Sequence, residues 1–167
     1  MAEYAAKKCG LPPGDLWLVI APTASLVGSV QVSARIVETG LHKLMELGFD
    51  LRSVISGFGT CPLSPVAEDD LRAIGQTNDC VLYGGRVWYT VDAPDEAIEA
   101  VADRIPSSSS KDYGTSFYDL YRQYGDFYQI DPMLFSPAEV TISNIRTGRS
   151  FRAGRVDPGL LERSLLR

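Results

Sequence analysis

The chain has 167 residues, of which 45% are hydrophobic and 22% charged, a composition that excludes a disordered, collagen-like or coiled-coil protein. The length is that of one domain or two small ones. The longest apolar run, residues 16–21, is far shorter than the ~20 residues that span a membrane, and no export signal opens the chain. We therefore expect a cytoplasmic protein without a membrane partner.

The charges argue against nucleic acid as a partner. The 16 Lys and Arg residues are outnumbered by 21 Asp and Glu, and they form no basic stripe that could neutralise phosphates. The three cysteines show no CxxC spacing, and the single histidine, His42, cannot form a His-rich site. We expect reduced thiols and no metal catalysis.

Apolar periodicity and turn residues predict alternating helices and strands. The elements of the first half are a helix over 2–8 ended by Gly10, a doubly buried strand over 15–21, a loop over 22–29, a helix over 30–47, a strand over 53–58, and a helix over 66–74 between Ser64 and Gly75. The elements of the second half are a hairpin of strands 80–83 and 86–91 around Gly84 and Gly85, helices over 94–105 and 116–124, paired strands over 138–143 and 150–156, and a helix over 158–166. This order predicts a mixed α/β (α+β) fold, with a β-hairpin in a mixed sheet and flanking helices.

The helix predicted over 30–47 carries a polar stripe. Its members lie four, three and four residues apart, on one helical face: Gln31, Arg35, Glu38 and His42. One interpretation is a solvated face, where Arg35 and Glu38 form a surface ion pair worth ~0.3–0.5 kcal/mol. The other is a cleft in which Arg35 keeps Glu38 ionised and Glu38 accepts a proton from water. Spacing alone favours the surface ion pair.

Two other segments offer polar groups to a ligand. The small-residue loop over 22–29 precedes a helix N-terminus, where backbone N–H groups can meet an anion. It lacks GxGxxG or Walker spacing, and a tight connection explains it equally well. In the GQTND segment over 75–79, turn formation alone explains Asn78 and Asp79. The aromatic residues over 117–128 are predicted to be core and interface rather than a stacking surface.

Longer motifs are more specific than these periodicities. The stretch APTASLVGSVQVSARIVETGLHKLMELGFD over 21–50 resembles the central signature of the methenyltetrahydromethanopterin cyclohydrolases. Further stretches resemble that family in the same order, namely GFGTCPLSP over 57–65, GQTND over 75–79, and residues 111–137. The resemblance covers almost the whole chain.

The resemblance implies a cytoplasmic, homotrimeric hydrolase with an α/β fold. Such an enzyme interconverts the methenyl and formyl forms of tetrahydromethanopterin in methanogenesis or formaldehyde oxidation, without a metal or prosthetic group. The family's catalytic R-x-x-E pair, on the helix after the APTAS loop, corresponds here to Arg35 and Glu38. The further candidates for substrate contacts are Gln31, Ser29, Thr77, Asn78 and Asp79.

Full-length members of this family are roughly twice as long, a size at which one core gives way to two. The resemblance therefore implies that residues 1–167 are a single partial domain, the C-terminal part, with the N-terminal half as a partner. Three functions stay open: the catalytic half of a cyclohydrolase, a non-catalytic pterin-binding remnant, or a structural α/β interaction module. Because both catalytic-type residues are present, the first is favoured over the second.

Overall fold

The computed structural model describes residues 1–166, which form a mixed α/β fold, as predicted. The helices are α1 (Ala2–Cys9), α2 (Leu26–Ala34), α3 (Ile36–Glu46), α4 (Asp70–Gly84), α5 (Asp95–Ala102), α6 (Phe117–Tyr124) and α7 (Pro158–Leu165). The strands are β1 (Val54–Thr60), β2 (Arg86–Val91), β3 (Glu139–Asn144) and β4 (Ser150–Gly154). Among these residues, no helix combines the length and apolar character needed to cross a membrane.

One mixed sheet in the order β1-β2-β3-β4 organises the fold. β1 and β2 are antiparallel, β2 and β3 are parallel, and β3 and β4 form an antiparallel hairpin whose turn contains Gly148 at φ 73°. The predicted pairing of these last two strands is confirmed. α3 and α5 pack on the sheet, and the apolar residues of this layer form the first core. The sheet's contribution to that core includes Val87, Tyr89, Val91, Val140 and Ile142.

A second core lies beside α4, against which α2, α6 and α7 pack. Its buried members are Leu82, Tyr83, Phe117, Leu120, Ile130 and Leu134.

The predicted helix over 66–74 is wrong in both limits, because Asp69 caps α4 by accepting the N–H of Arg72 at 2.8 Å. Gly75 lies inside α4, where α6 approaches so closely that a Cβ would stand 2.8 Å from Tyr118 Cβ. The glycine therefore marks a helix crossing and not a helix end.

The predicted hairpin over 80–91 is also wrong, although its second strand, over 86–91, is confirmed as β2. Residues 80–83 belong to the last turns of α4, and Gly84 and Gly85 join this helix to β2. A short apolar run fits a buried helix as well as a strand, so the pattern could not distinguish the two. Close packing explains both glycines: a Cβ at Gly84 would lie 2.7 Å from Pro62, and one at Gly85 would lie 2.5 Å from Ile36. Asn78 and Asp79 are likewise helical and do not form a turn.

The apolar run over 15–21 does not form the buried strand that its composition predicts. Residues 16–20 pair with none of the four strands, which all lie later in the chain. Trp17, Val19 and Ile20 are 91%, 96% and 84% exposed. β-propensity describes how a segment fits a pleated, half-buried surface, and without a neighbouring strand this segment stays unpaired.

The helix predicted over 30–47 is in fact two helices that meet at Arg35, where φ is −85° and ψ is 9°. The two helices pack on different partners, α2 on α4 and α3 on β1 and β2. Ser33 fixes the end of α2 by donating to the carbonyl of Pro62 at 2.9 Å, whereas Ile36 begins the buried face of α3. A single straight helix could not satisfy both contacts. The remaining helices and strands lie, within a few residues at each end, where they were predicted: α1, β1, α5, α6, β3, β4 and α7.

Candidate active site

The junction between α2 and α3 places Arg35 and Glu38 side by side. The guanidinium donates two hydrogen bonds to the carboxylate, Nε to Oε2 at 2.9 Å and Nη2 to Oε1 at 2.6 Å. This bidentate geometry fixes the plane of the carboxylate. The hydrogen bonds from Arg35 hold the pKa of Glu38 below its ordinary value, and the charges of Arg35 and His42 lower this pKa further. Glu38 is therefore ionised at neutral pH, the form that accepts a proton.

Arg35 and Glu38 line a cavity of about 240 Å³. The apolar side chains of Val81, Leu82, Phe127 and Phe135 line the same cavity. The remaining lining residues are Val32, Thr39, His42 and Asn78. The side chains of Arg35 and Glu38 are 55% and 61% exposed, so the ion pair stands at the mouth of the cavity. Each interpretation of the polar stripe thus describes part of the site, because the pair is solvated and also faces a cavity.

A second cavity of about 560 Å³ continues from the first, with which it shares Val32, Asn78 and Phe127. Its other lining residues are Val19, Ile20, Ala21, Thr23, Val27, Gly28, Gln31, Ile74 and Thr77. We call the two cavities together the α2–α3 groove. The larger cavity alone falls in the range of about 300–1,000 Å³ that is typical of small-molecule sites.

Three predicted substrate contacts, Gln31, Thr77 and Asn78, line the groove, and Asn78 lines both of its cavities. Thr77 Oγ1 donates to the carbonyl of Ala73 at 2.7 Å, and Asn78 Nδ2 donates to that of Ile74 at 2.8 Å. Hydrogen bonds within α4 therefore fix both side chains. The amide of Asn78 is thus held on α4, at the same cavity that Arg35 and Glu38 line.

The other two predicted contacts, Ser29 and Asp79, do not line the groove. Ser29 is buried and shares a hydrogen bond with Ser64, the two Oγ atoms lying 3.0 Å apart. Asp79 is buried on the far side of α4, where it accepts the N–H of Phe117 at 2.9 Å and the hydroxyl of Ser164 at 2.5 Å. Ser29 thus joins α2 to the loop that contains Ser64, and Asp79 joins α4 to α6 and α7.

Burial of Asp79 has a measurable consequence for stability. Desolvation raises its pKa to about 6, from an ordinary value of 3.8, although the hydrogen bonds from Ser164 and Phe117 oppose the shift. The folded state therefore binds this proton more tightly than the unfolded chain does. The contribution of Asp79 to stability is therefore greatest below pH 3.8 and falls as pH rises through about 6. At about 1.4 kcal/mol per pKa unit, the loss approaches about 3 kcal/mol.

We expect Asp79→Asn to abolish this loss, because an amide carries no charge and can still accept from Phe117 while donating to Ser164. Urea unfolding from about pH 4 to about pH 8 should show a flatter pH dependence for the variant than for the wild type. Asp103→Asn, at an exposed position, serves as the control and should keep the wild-type slope. Equal slopes for Asp79→Asn and the wild type would contradict this assignment.

Gly28 allows the first turn of α2 to rest on the preceding loop. Ser25 caps the helix, accepting the N–H of Gly28 at 3.0 Å and donating to the carbonyl of Pro22 at 2.6 Å. A Cβ on Gly28 would lie 2.4 Å from the carbonyl oxygen of Thr23. Because this oxygen belongs to the backbone, it cannot move without disturbing the cap.

Gly28→Ala is therefore expected to lower the free energy of unfolding by about 1–3 kcal/mol, read as a lower urea midpoint. Gly14→Ala is the matched control, since no atom lies within 4 Å of a Cβ built there, and it should change stability by less than about 0.5 kcal/mol. Indistinguishable midpoints for the two variants would show that the first turn of α2 can shift.

The aromatic wall of the groove was not predicted from the sequence. Phe127 begins the 3₁₀ turn Phe127–Gln129, Phe135 directly follows the 3₁₀ turn Pro132–Leu134, and their ring centroids are 4.9 Å apart. Both residues lie about eighty to ninety residues after α3. The prediction that the aromatic residues over 117–128 form core and interface is confirmed for Phe117, which is buried in the second core, whereas Phe127 lines the groove. Helical spacing could have found Val32 and Thr39, which share the face of Arg35 and His42.

A mixed α/β fold with an ionised carboxylate at the mouth of an aromatic-lined groove defines a protein with a small-molecule site suited to proton transfer. The family model described as Cyclohydrolase (MCH) matches residues 1–165, and the chain belongs to this family. Within residues 1–166, no cluster of three or more His, Cys, Asp or Glu side chains could hold a metal ion.

Several curated relatives carry the name methenyltetrahydromethanopterin cyclohydrolase. The chain is 44% identical to that of Methanococcoides burtonii over 163 residues, which are 96% of this chain and 51% of the relative. It is 48% identical to that of Rhodopirellula baltica over 165 residues, 97% of this chain and 50% of the relative. It is 45% identical to that of Methanothermobacter marburgensis over 167 residues, 98% of this chain and 52% of the relative. The chain thus spans about half the length of these relatives.

Proposed function

We propose that this chain supplies the catalytic pair of a methenyltetrahydromethanopterin cyclohydrolase, which reversibly hydrolyses 5,10-methenyltetrahydromethanopterin to the 5-formyl compound. The relatives that carry this name match nearly the whole chain, which supports the assignment. The observation that carries it is the carboxylate of Glu38, which Arg35 holds by two hydrogen bonds at the mouth of the α2–α3 groove.

In the proposed reaction the main task of the enzyme is to supply a base, because the substrate carbon is already electrophilic. The methenyl carbon lies between two nitrogens that share a positive charge, so it is already open to attack by water. Glu38 accepts a proton from this water as its oxygen bonds to the carbon, which gives a neutral carbinol. One carbon–nitrogen bond then breaks, the leaving nitrogen takes the proton from Glu38, and the carbinol hydroxyl loses its proton to solvent. One proton is released per turnover, and no step requires a metal or prosthetic group.

Arg35 orients the base and keeps it ionised. Its two hydrogen bonds fix the carboxylate plane and lower the pKa of Glu38. The positive charge of Arg35 also balances the negative charge of Glu38, so that a cationic substrate meets no net charge at this ion pair. We assign contacts with the bound pterin to Gln31, Thr77 and Asn78, which line the groove.

The proposal extends to the whole enzyme as a cytoplasmic homotrimer that acts in one-carbon metabolism, in methanogenesis or formaldehyde oxidation. It includes the N-terminal half of the family's chain as the partner that completes the groove. The exposure of Arg35 and Glu38 supports this, because a covering element would exclude bulk water from the reacting carbon.

The test follows the absorbance of the methenyl pterin after the chain is added, alone and with a separately expressed N-terminal half of a relative. We expect the absorbance to decay faster than in buffer, with the larger acceleration when both halves are present. No acceleration in either mixture would contradict the proposal, and binding without turnover would favour a pterin-binding module.

A further inference from the structure

Lys43 of α3 is a buried cation that the proposed reaction does not use. The residue is only 1% exposed, and its Nζ donates to the carbonyl oxygen of Met133 and to Ser109 Oγ, the latter at 3.3 Å. Among the described residues, no carboxylate oxygen lies within ion-pair distance of this nitrogen. Desolvation lowers the pKa of Lys43 to about 8, and the nearby charges of Asp131 and Arg104 act in opposite directions.

The acceptor of the Lys43 ammonium group lies in the 3₁₀ turn Pro132–Leu134, directly before Phe135. Asp131 caps this turn, because its Oδ1 accepts the N–H of Met133 at 3.0 Å and its Oδ2 accepts the hydroxyl of Ser110 at 2.7 Å. Lys43 thus ties the turn to α3, the helix that also carries Glu38.

We propose that Lys43 is a positioning residue, which holds the turn Pro132–Leu134 against α3 and so sets Phe127 and Phe135 opposite Glu38. Phe135 follows the turn directly, and its ring packs on that of Phe127 with centroids 4.9 Å apart. Both rings also pack on Phe117, each with centroids 5.6 Å apart, so a shift of the turn at Phe135 is transmitted to Phe127. The inference rests on the proposed function, since the wall has a role only where the pterin binds.

Net stability does not explain why this residue is a lysine. A buried ammonium group with neutral acceptors loses its hydration and gains no ion pair in return, and this cost offsets much of the stability that its hydrogen bonds contribute. The hydrogen bond to the Met133 carbonyl is directional, however, and fixes where the turn lies. Lys43→Met should therefore separate local positioning from global stability.

We expect Lys43→Met to raise amide hydrogen exchange over residues 127–135 by about tenfold, because it removes a hydrogen bond from a charged donor. Amide exchange in the sheet should stay at its wild-type rate, and the urea midpoint should not fall. The Kd for methenyltetrahydromethanopterin should rise by about tenfold through the displaced aromatic wall. Lys7→Met, at an exposed position on α1, is the matched control and should alter none of these values.

Ser109→Ala removes the weaker acceptor of Lys43, together with the hydrogen bond that Ser109 Oγ donates to the carbonyl of Arg104 at 2.7 Å. It provides a second variant, for which a smaller rise in exchange is expected over residues 127–135. Unchanged exchange over 127–135 in Lys43→Met, or a rise spread evenly over the chain, would overturn the inference. So would a loosened segment with an unchanged Kd. A wild-type chain that neither binds nor hydrolyses the pterin, either alone or with the separately expressed N-terminal half, would instead overturn the proposed function, and this role for Lys43 with it.

Discussion

The Glu38→Gln variant is expected to hydrolyse methenyltetrahydromethanopterin about 10²–10⁴-fold more slowly than the wild type, the usual contribution of a general base. Glutamine keeps the length of the side chain, and its oxygen can still accept a hydrogen bond from Arg35. It cannot accept the proton of the attacking water, so kcat should fall while the Kd for the pterin changes little. Absorbance decay at saturating pterin measures the first quantity and equilibrium dialysis the second.

A second arginine–carboxylate pair provides a control for this prediction. Asp50 forms a bidentate pair with Arg52, with distances of 2.9 and 3.0 Å, outside the α2–α3 groove. Asp50→Asn should therefore leave turnover at the wild-type rate. If Glu38→Gln also retained the wild-type rate, the base would have to be another group.

The second large effect is expected for Arg35→Met. Loss of the bidentate partner frees the carboxylate to rotate, and a misplaced catalytic group can lower the rate by about 10²-fold. Because Arg35 lowers the pKa of Glu38, its removal raises that pKa. The base is active only when ionised, so the acid limb of the kcat/KM profile should move to higher pH.

Arg52→Met provides the matched control for Arg35→Met. It breaks an exposed arginine–carboxylate pair away from the groove, and both the rate and the acid limb should stay at their wild-type values. A lower rate for Arg35→Met with an unmoved acid limb would mean that the arginine acts on the substrate and does not tune Glu38.

The sequence predicted the key pair by a partly wrong route. Helical spacing placed Arg35 and Glu38 on one face of a continuous helix, whereas the chain breaks at Arg35 and the two residues occupy the first turn of a new helix. The ion pair still forms because Glu38 lies three positions after Arg35, within one helical turn. The break depends on tertiary contacts of α2 and α3 with different neighbours, which no local pattern records.

The errors in the fold have a similar cause. Residues 80–83 are apolar because they are buried inside the second core, and burial leaves a helix without the periodicity that would distinguish it from a strand. The run over 15–21 has the composition of a strand, yet the sheet is built from later segments. Phe127 and Phe135 reach Glu38 only through the tertiary fold, so the groove wall could not be predicted from spacing.

The most direct test of the account is a crystal structure of Glu38→Gln with methenyltetrahydromethanopterin bound. It should show the pterin in the α2–α3 groove, packed on Phe127 and Phe135, with its methenyl carbon separated from the side chain of residue 38 by a single water molecule. A pterin bound anywhere else on the chain, or one that turns its methenyl carbon away from this side chain, would contradict the assignment of Glu38 as the base.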